Sequence, residues 1–265
     1  MGGWLALPRE WLANFGVIAQ FCGRVLGQVY SLRVLKFTGE ALRQAGILII
    51  GSTLVIWGLV FIIGLTCGIE GAYFNRAVGS PAYAGVFSAW CDLRELVPYA
   101  FGYMLAAKVG TGFVAEIGSM RISDEVDALE VMGIDSTLFL CATRLLAAWI
   151  VLPFIYIAAV GAGFFASYIA VVQQIGEVSS GGYFLIFWMF QNPVDLLYSV
   201  LKGMFMATGI VLVGCYYGYT AGGGPVGVGT ATAKSMVLNL VIVHLIGMLG
   251  TAIFWGANPR APIGG

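Results

Sequence analysis

Uncharged apolar residues come in long blocks along this chain, and short segments between the blocks gather most of its charge. A helix crossing the hydrocarbon core of a bilayer needs about 20 mostly apolar residues. Residues 45–68, which include ILIIGSTLVIWGLVFIIGLTCG without a single charge, predict a first span. Residues 98–115 predict a second, interrupted near its end by Lys108, and residues 137–172 a third, broken only by Arg144 and Pro153. Polar, glycine-rich residues 173–182, the run YFLIFWMF and the Gln191-Asn192-Pro193 break lead to a fourth span at 196–217. Residues 235–255 give the fifth. The expected fold is an all-α integral membrane protein with five spans, which places its termini on opposite sides.

The segments between and around these blocks have their own patterns. Residues 1–44 alternate apolar positions with Arg9, Glu10, Arg24, Arg33, Lys36, Glu40 and Arg43, too charged to span and too apolar for a solvated tail. That suits amphipathic helices lying in the interface, their basic side chains toward anionic headgroups. No basic stretch followed by a short apolar run and a small-residue cleavage site is visible, so the expectation is that this segment stays attached. Residues 70–95 hold Glu70, Arg76, Pro81, Asp92, Arg94 and Glu95 and read as an extracytoplasmic loop with a short helical or re-entrant piece. The glycine-rich residues 220–234 read as a tight cytoplasmic loop, and residues 257–265 as an extracytoplasmic tail.

Composition and charge confirm the solvent and set the orientation. Only 10% of the 265 residues are charged and 60% are hydrophobic, against about 25% charged in soluble domains. The 13 basic and 13 acidic residues cancel, so no bulk field exists to gather nucleic acid. Lysine and arginine concentrate on the cytoplasmic side of membrane proteins. A cytoplasmic N-terminus puts Arg9, Arg24, Arg33, Lys36, Arg43, Lys108, Arg121, Arg144 and Lys234 at or near the cytoplasm, leaving Arg76, Arg94 and Arg260 outside and Lys202 in the outer half of a span. The C-terminus is then extracytoplasmic.

Candidate chemistry is sparse. The five cysteines show no metal-ligand spacing and read as small apolar fillers; a disulfide between Cys67 and Cys91 is the open alternative. His244 is the only histidine and cannot make a metal site alone. No GxxxxGK[ST] occurs, so the glycine-rich loop is no phosphate cradle. Ionisable groups within spans are costly and often functional. Lys108 lies near a span end, where it can snorkel. Lys202 lies seven residues after Asp195, about two helical turns, so the two can pair with each other or meet the anionic head of a lipid.

The most ordered pattern lies between the second and third blocks, in AEIGSMRISDEVDALEVMGID at 115–135. Ser123 suits a helix cap, Asp124 and Glu125 a first turn, and Gly133 a stop. Ile122, Val126, Leu129 and Met132 share one face, and Asp124, Asp127 and Glu130 the opposite one. The expectation is a short amphipathic helix parallel to the membrane, with an acidic stripe. Flanking it, Glu116 and Arg121 either pair across the loop or anchor it at the interface.

Glu116-Ile117-Gly118-Ser119-Met120-Arg121 followed by Asp124-Glu125-Val126-Asp127-Ala128-Leu129-Glu130-Val131-Met132-Gly133 resembles the signature of the MlaE/YrbE permease family. Lys108-Val109-Gly110-Thr111-Gly112 is similar to the family's upstream motif, with Lys where Arg is common, and Asp195 to Lys202 resembles the opening of its fourth span. Tyr216-Tyr217-Gly218-Tyr219 and the glycines at 222–229 look most like the YrbE permeases that accompany actinobacterial Mce proteins. The resemblance covers about residues 35–256 and implies a non-catalytic permease subunit in the inner (plasma) membrane. Two permease chains, an ABC ATPase that binds ATP and Mg, and MCE-domain proteins would together move lipids such as fatty acids or sterols. Glu116, Arg121, Asp124, Glu125, Asp127 and Glu130 would couple the chain to the ATPase. The rival classes are an ion-coupled secondary transporter, expected to show acids at mid-bilayer, and a membrane scaffold that transports nothing.

Overall fold

A computed structural model describes residues 6–257, with side chains from residue 16 onward. Among the described residues there is no strand. α1 (Ala6–Tyr30) and a short 3-10 turn (Arg33–Phe37) lead into α2 (Thr38–Ala77). Residues 84–122 are helical throughout: α3 (Ala84–Phe87), α4 (Val97–Met104) and α5 (Thr111–Ile122) are joined by π-helical turns at Ser88–Leu96 and Leu105–Gly110. α6 (Glu125–Val131) follows, then π-helical Leu138–Ala142, α7 (Thr143–Tyr168) and π-helical Ile169–Ile175. α8 (Ser180–Met189), α9 (Pro193–Tyr219) and α10 (Gly224–Trp255) complete the order.

Four helical stretches, Arg33–Ala77, Leu138–Ile175, Pro193–Tyr219 and Gly224–Trp255, are long and apolar enough to cross a membrane. The remaining expected span, 98–115, is helical but more polar, with Lys108 and several glycines and tyrosines. Phe101, Leu105, Ala106 and Val114 on it are almost wholly buried, so protein rather than lipid surrounds much of it. The multi-pass helical membrane architecture therefore stands.

Three boundaries differ from the sequence reading, for one physical reason: in a membrane the backbone must satisfy its own hydrogen bonds, and helix is the cheapest way to do so. The 1–44 segment does not end where the first span begins, because α2 starts at Thr38. Residues 70–95 are not a loop: α2 continues to Ala77, Gly79 (φ 75°) makes a tight turn, and helix resumes from Pro81. Residues 220–234 are mostly helix, since Gly223 and Gly224 take positive φ, 81° and 74°, and confine the turn to a few residues. Pro225, which needs no backbone donor, then fits the first turn of α10. The apolar residues 183–190 form α8, capped by Ser179, whose side chain accepts from the Gly182 N–H. The expected tail at 257–265 lies outside the described residues apart from its first.

The chain divides into two compact units, Met1–Leu48 with Ala106–Ile150 and Thr208–Asn239, and Ile49–Leu105 with Val151–Ala207 and Leu240–Gly265. Glycine sets the packing in each. In the first unit a Cβ on Gly214 would lie 2.9 Å from the Gly110 carbonyl oxygen, and one on Gly218 would lie 2.9 Å from the Ile117 side chain, so α9 packs directly on the 105–122 segment. In the second, α2 meets α7 where Gly64 touches Gly163, and a Cβ on Gly203 would strike the Tyr156 ring at 2.8 Å. Helix association in lipid relies on such close packing because hydrocarbon offers no hydrophobic drive. α8 closes this unit through Tyr183 and Phe187, which pack with Ala72, Ala84, Ala89 and Val171.

Gly64→Ala is expected to destabilise the purified protein by about 1–3 kcal/mol, the usual cost of overpacking, because the new methyl meets backbone that cannot move aside. Gly161→Ala, where a Cβ meets nothing within 4 Å, should leave the thermal midpoint unchanged. Equal midpoints for the two variants in detergent would contradict the close α2–α7 crossing.

Candidate functional site

The signature segment of the first unit folds as a helix braced on several sides. α6 is shorter than the sequence suggested, and Ser123 does not cap it. Ser123 ends α5, its hydroxyl 2.9 Å from both the Ser119 carbonyl and the Glu125 carboxylate. The N-cap is Asp124, in the left-handed region at φ 60°. Gly133 is the stop, with φ 76°: its N–H donates to the Glu130 carbonyl and that of Ile134 to Leu129, the paired bonds of a Schellman end.

The two faces of α6 are only partly as expected. Val126 is fully buried and Ile122 and Leu129 half-buried, whereas Met132 is 65% exposed and Val131 89% exposed. The acidic stripe is not all free. Asp127 forms an ion pair with Arg121, whose guanidinium also lies over the Tyr219 ring. Glu130 accepts from the Ser136 hydroxyl at 2.6 Å and the Tyr219 hydroxyl at 3.1 Å. Asp124 and Glu125 remain exposed. Glu116 does not pair with Arg121 as one reading had it; it pairs with the buried Arg144 at 2.7 Å. Behind α6, the Gln28 amide of α1 donates to Asp135 at 3.0 Å and to Thr137 at 2.9 Å, on the wall of a cavity of about 860 Å³. Lys108 is exposed on its π-helical turn.

The second unit holds a cluster of two cations and two anions, all buried except Glu95, whose side chain is 35% exposed. Lys202 is fully buried, and its ammonium donates to the Arg94 carbonyl at 2.8 Å, Glu95 at 2.9 Å and Thr251 at 2.7 Å. The sequence offered Lys202 either Asp195 or the anionic head of a lipid as its partner. Instead Asp195 accepts from Arg94 at 2.7 Å and from the Trp255 indole at 2.9 Å, so the charges cross over. Arg94 stacks over Trp90 at 4.4 Å. A cavity of about 380 Å³ opens here, bounded by Phe74, Phe87, Trp90, Arg94, Glu95 and Trp255. It joins an apolar wall to a guanidinium and a carboxylate, a combination suited to a lipid head with its first carbons. Arg94 and Glu95 escaped the sequence reading because 70–95 was assigned to a loop; the adjacent charges within the apolar run Leu93–Val97, four residues after Trp90, were the available signal.

The remaining candidates are settled by the same structure. All five cysteines, Cys67 and Cys91 included, are free thiols. Among the described residues no group of histidine, cysteine and acidic side chains could hold a metal. His244 bonds the Leu240 carbonyl through Nδ1 at 2.8 Å and Tyr103 through Nε2 at 3.1 Å.

A multi-pass helical bundle with a braced helix between its membrane segments and a neutralised charge cluster beside an apolar cavity has the features of a membrane permease. The MlaE family, described as Permease MlaE, matches residues 41–253, and the chain belongs to that family. It is 31% identical over 162 residues to a probable ABC transporter permease protein of Rickettsia bellii, covering 61% of this chain and 62% of that protein. It is 28% identical to TRIGALACTOSYLDIACYLGLYCEROL 1, chloroplastic, of Arabidopsis thaliana over 86% of this chain and 62% of the relative. The intermembrane phospholipid transport system permease protein MlaE of Haemophilus influenzae is 28% identical over 82% of this chain and 83% of its own length.

Removing one member of a buried charged pair leaves the other without its partner, at a cost of about 1–3 kcal/mol or more. Glu95→Gln, which strands the buried Lys202, is expected to lower stability by that order, and Lys202→Met by less, because Glu95 is partly exposed to water. The double variant should recover a substantial part of the loss, because neither charge is then stranded. Additive losses in a thermal unfolding cycle would show that the pair is not coupled.

Proposed function

We propose that this chain is the permease subunit of an ATP-driven, MCE-type lipid transporter in the inner (plasma) membrane. A separate ABC ATPase binds ATP and Mg and docks on α6. A second permease chain completes the path, MCE-domain proteins extend it, and no chemistry is catalysed in this chain. The N-terminus is cytoplasmic and the C-terminus extracytoplasmic, as the distribution of lysine and arginine favours.

One observation carries the reading. α6 is fixed from behind by Val126, Arg121–Asp127 and the Glu130–Ser136–Tyr219 contacts, yet its far end presents Val131 and Met132 to solvent and its near end exposes Asp124 and Glu125. Large apolar side chains held outward on a rigid helix suit a partner surface, and a rigid helix can pass a partner's closure to the helices it joins. The docking surface is therefore the apolar end plus Asp124 and Glu125, while Asp127 and Glu130 hold α6 in place.

The charge cluster is the lipid end of the same machine. An anionic head entering the cavity adds a negative charge to the cluster; the partly exposed Glu95 is the carboxylate that can turn to water and leave the Lys202 ammonium to the head, whereas Asp195 is buried and stays on Arg94. Fatty acids and sterols are the cargo implied by the resemblance to Mce systems. The name of the Haemophilus influenzae relative makes phospholipid the first alternative to test. Ion-coupled secondary transport is the competing reading, and the fully buried Asp92 is the observation in its favour.

Val131→Asp with Met132→Asp should leave the permease inserted while reducing ATPase recovered with it at least tenfold; undiminished recovery in a pull-down would remove α6 from the docking surface. Separately, Lys202→Met should assemble with its partners yet move labelled anionic lipid at a small fraction of the wild-type rate. Wild-type transport by that variant would exclude the cluster as the head site.

A further inference from the structure

The strongest unexplained group in the molecule is Asp92. It lies on the π-helical turn Ser88–Leu96, is wholly buried, and has no cation paired with it among the described ion pairs. Its Oδ2 lies 2.5 Å from the Ser167 hydroxyl oxygen, which in turn lies 2.8 Å from the Gly64 carbonyl oxygen. Its Oδ1 is buried and meets no donor.

Ser167 has one hydroxyl proton for two close oxygen neighbours, Asp92 Oδ2 and the Gly64 carbonyl. The carbonyl can only accept. A proton on the carboxyl lets the hydroxyl accept from Asp92 while it donates to Gly64, so both contacts are satisfied at once. Burial argues the same way, since an ionised carboxylate out of water needs a cation or strong donors, and no cation is paired with this one among the described ion pairs. The neighbouring groups bring no positive charge: the Cys67 thiol of α2 reaches the same carboxyl only as a weak donor, Cys91 on the same turn is a second thiol, and Tyr183 of α8 is a buried phenol. On its own turn, Arg94 is paired with Asp195 and Glu95 with Lys202.

We infer that Asp92 is a proton-binding site: it is held as a neutral carboxylic acid whose O–H donates to Ser167, and this proton fastens the Ser88–Leu96 turn to the crossing of α2 and α7. The position matters because that crossing is the glycine contact of Gly64 with Gly163, where no side chain can fill a gap. Loss of the proton turns the Ser167 hydroxyl from the Gly64 carbonyl to the carboxylate and leaves a bare charge in the packed interior, so the second unit loosens there. The permease is thereby sensitive to the pH that reaches this turn. The ligand is the proton alone, and the inference is independent of what docks on α6.

Asp92→Asn tests it in the full chain, purified with whatever partners accompany it, because the amide keeps the shape and can donate to Ser167 as the acid does. The variant should match the wild type in transport near neutral pH, and in thermal midpoint below about pH 4, where the acid is protonated in the folded and unfolded chain alike. A neutral native acid is stabilising at low pH and loses that contribution as pH rises, because the unfolded chain gives up its proton first. The wild-type midpoint should therefore fall relative to that of Asp92→Asn as pH rises from about 4, where the unfolded carboxyl ionises, toward neutral. Infrared spectra should show a protonated-carboxyl C=O band in the wild type that Asp92→Asn lacks and Ser167→Ala shifts. The Ser167→Ala spectrum keeps the test open should the asparagine variant misfold. Parallel pH curves, no such band, or transport abolished in a well-folded Asp92→Asn would each overturn the inference, the last by showing that the charge itself is needed.

Discussion

A charge inside a membrane-spanning chain has to be neutralised within that chain, and most of what distinguishes this protein follows from that constraint. Arg144 meets Glu116, Arg94 meets Asp195 and Lys202 meets Glu95, each at 2.7–2.9 Å and each across a long stretch of sequence. None of these pairs joins neighbours on one helix. They therefore fix which helix segments lie together within each unit, as apolar contact alone could not, since lipid competes equally well for apolar faces. Buried pairs are weak sources of net stability but costly to break singly. An incoming anion is accommodated only where the displaced carboxylate can reach water, as the partly exposed Glu95 can.

The backbone is shaped to allow it. A π-turn closes on the fifth residue rather than the fourth, so successive side chains are separated by a smaller angle. On Ser88–Leu96 this lets Asp92, Arg94 and Glu95 all reach protein partners: Ser167, Asp195 and Lys202. Glycine supplies the other half, letting helices touch at Gly64 and Gly163 and making room at Gly250 for the Lys202 stem. The rigid end of the molecule is built differently. α6 has no glycine between its caps, one buried valine beneath it, and hydroxyl and guanidinium partners holding its acids.

Apolar blocks were the most legible feature of the sequence, because span length is set by bilayer thickness and not by partners. The signature at 116–133 was legible as a helix with a glycine stop for the same local reasons. What sequence could not show was where charge goes. Residues 70–95 looked like a loop because charge was read as exposure to water, although Asp92, Arg94 and Glu95 were to be satisfied by residues about a hundred positions away or more in two of three cases. Asp195 and Lys202 were correctly placed together on one helix, but i to i+7 spacing says nothing about a third segment that supplies both partners. The glycine-rich residues 224–234 were misread because propensity measured in water counts against a helix that, in lipid, has no alternative. Asp124 took the cap from Ser123 because α5 runs on to Ile122, about two turns past the expected end of the second span at 115.

The account turns on this chain being the membrane part of an ATP-driven lipid pump. The most direct measurement is ATP hydrolysis by the complex purified through this chain and reconstituted in vesicles, with cargo lipid present and absent. An ATPase should co-purify, and its rate should rise when lipid is supplied. A complex that holds no ATPase, or one whose hydrolysis ignores lipid, would contradict the account.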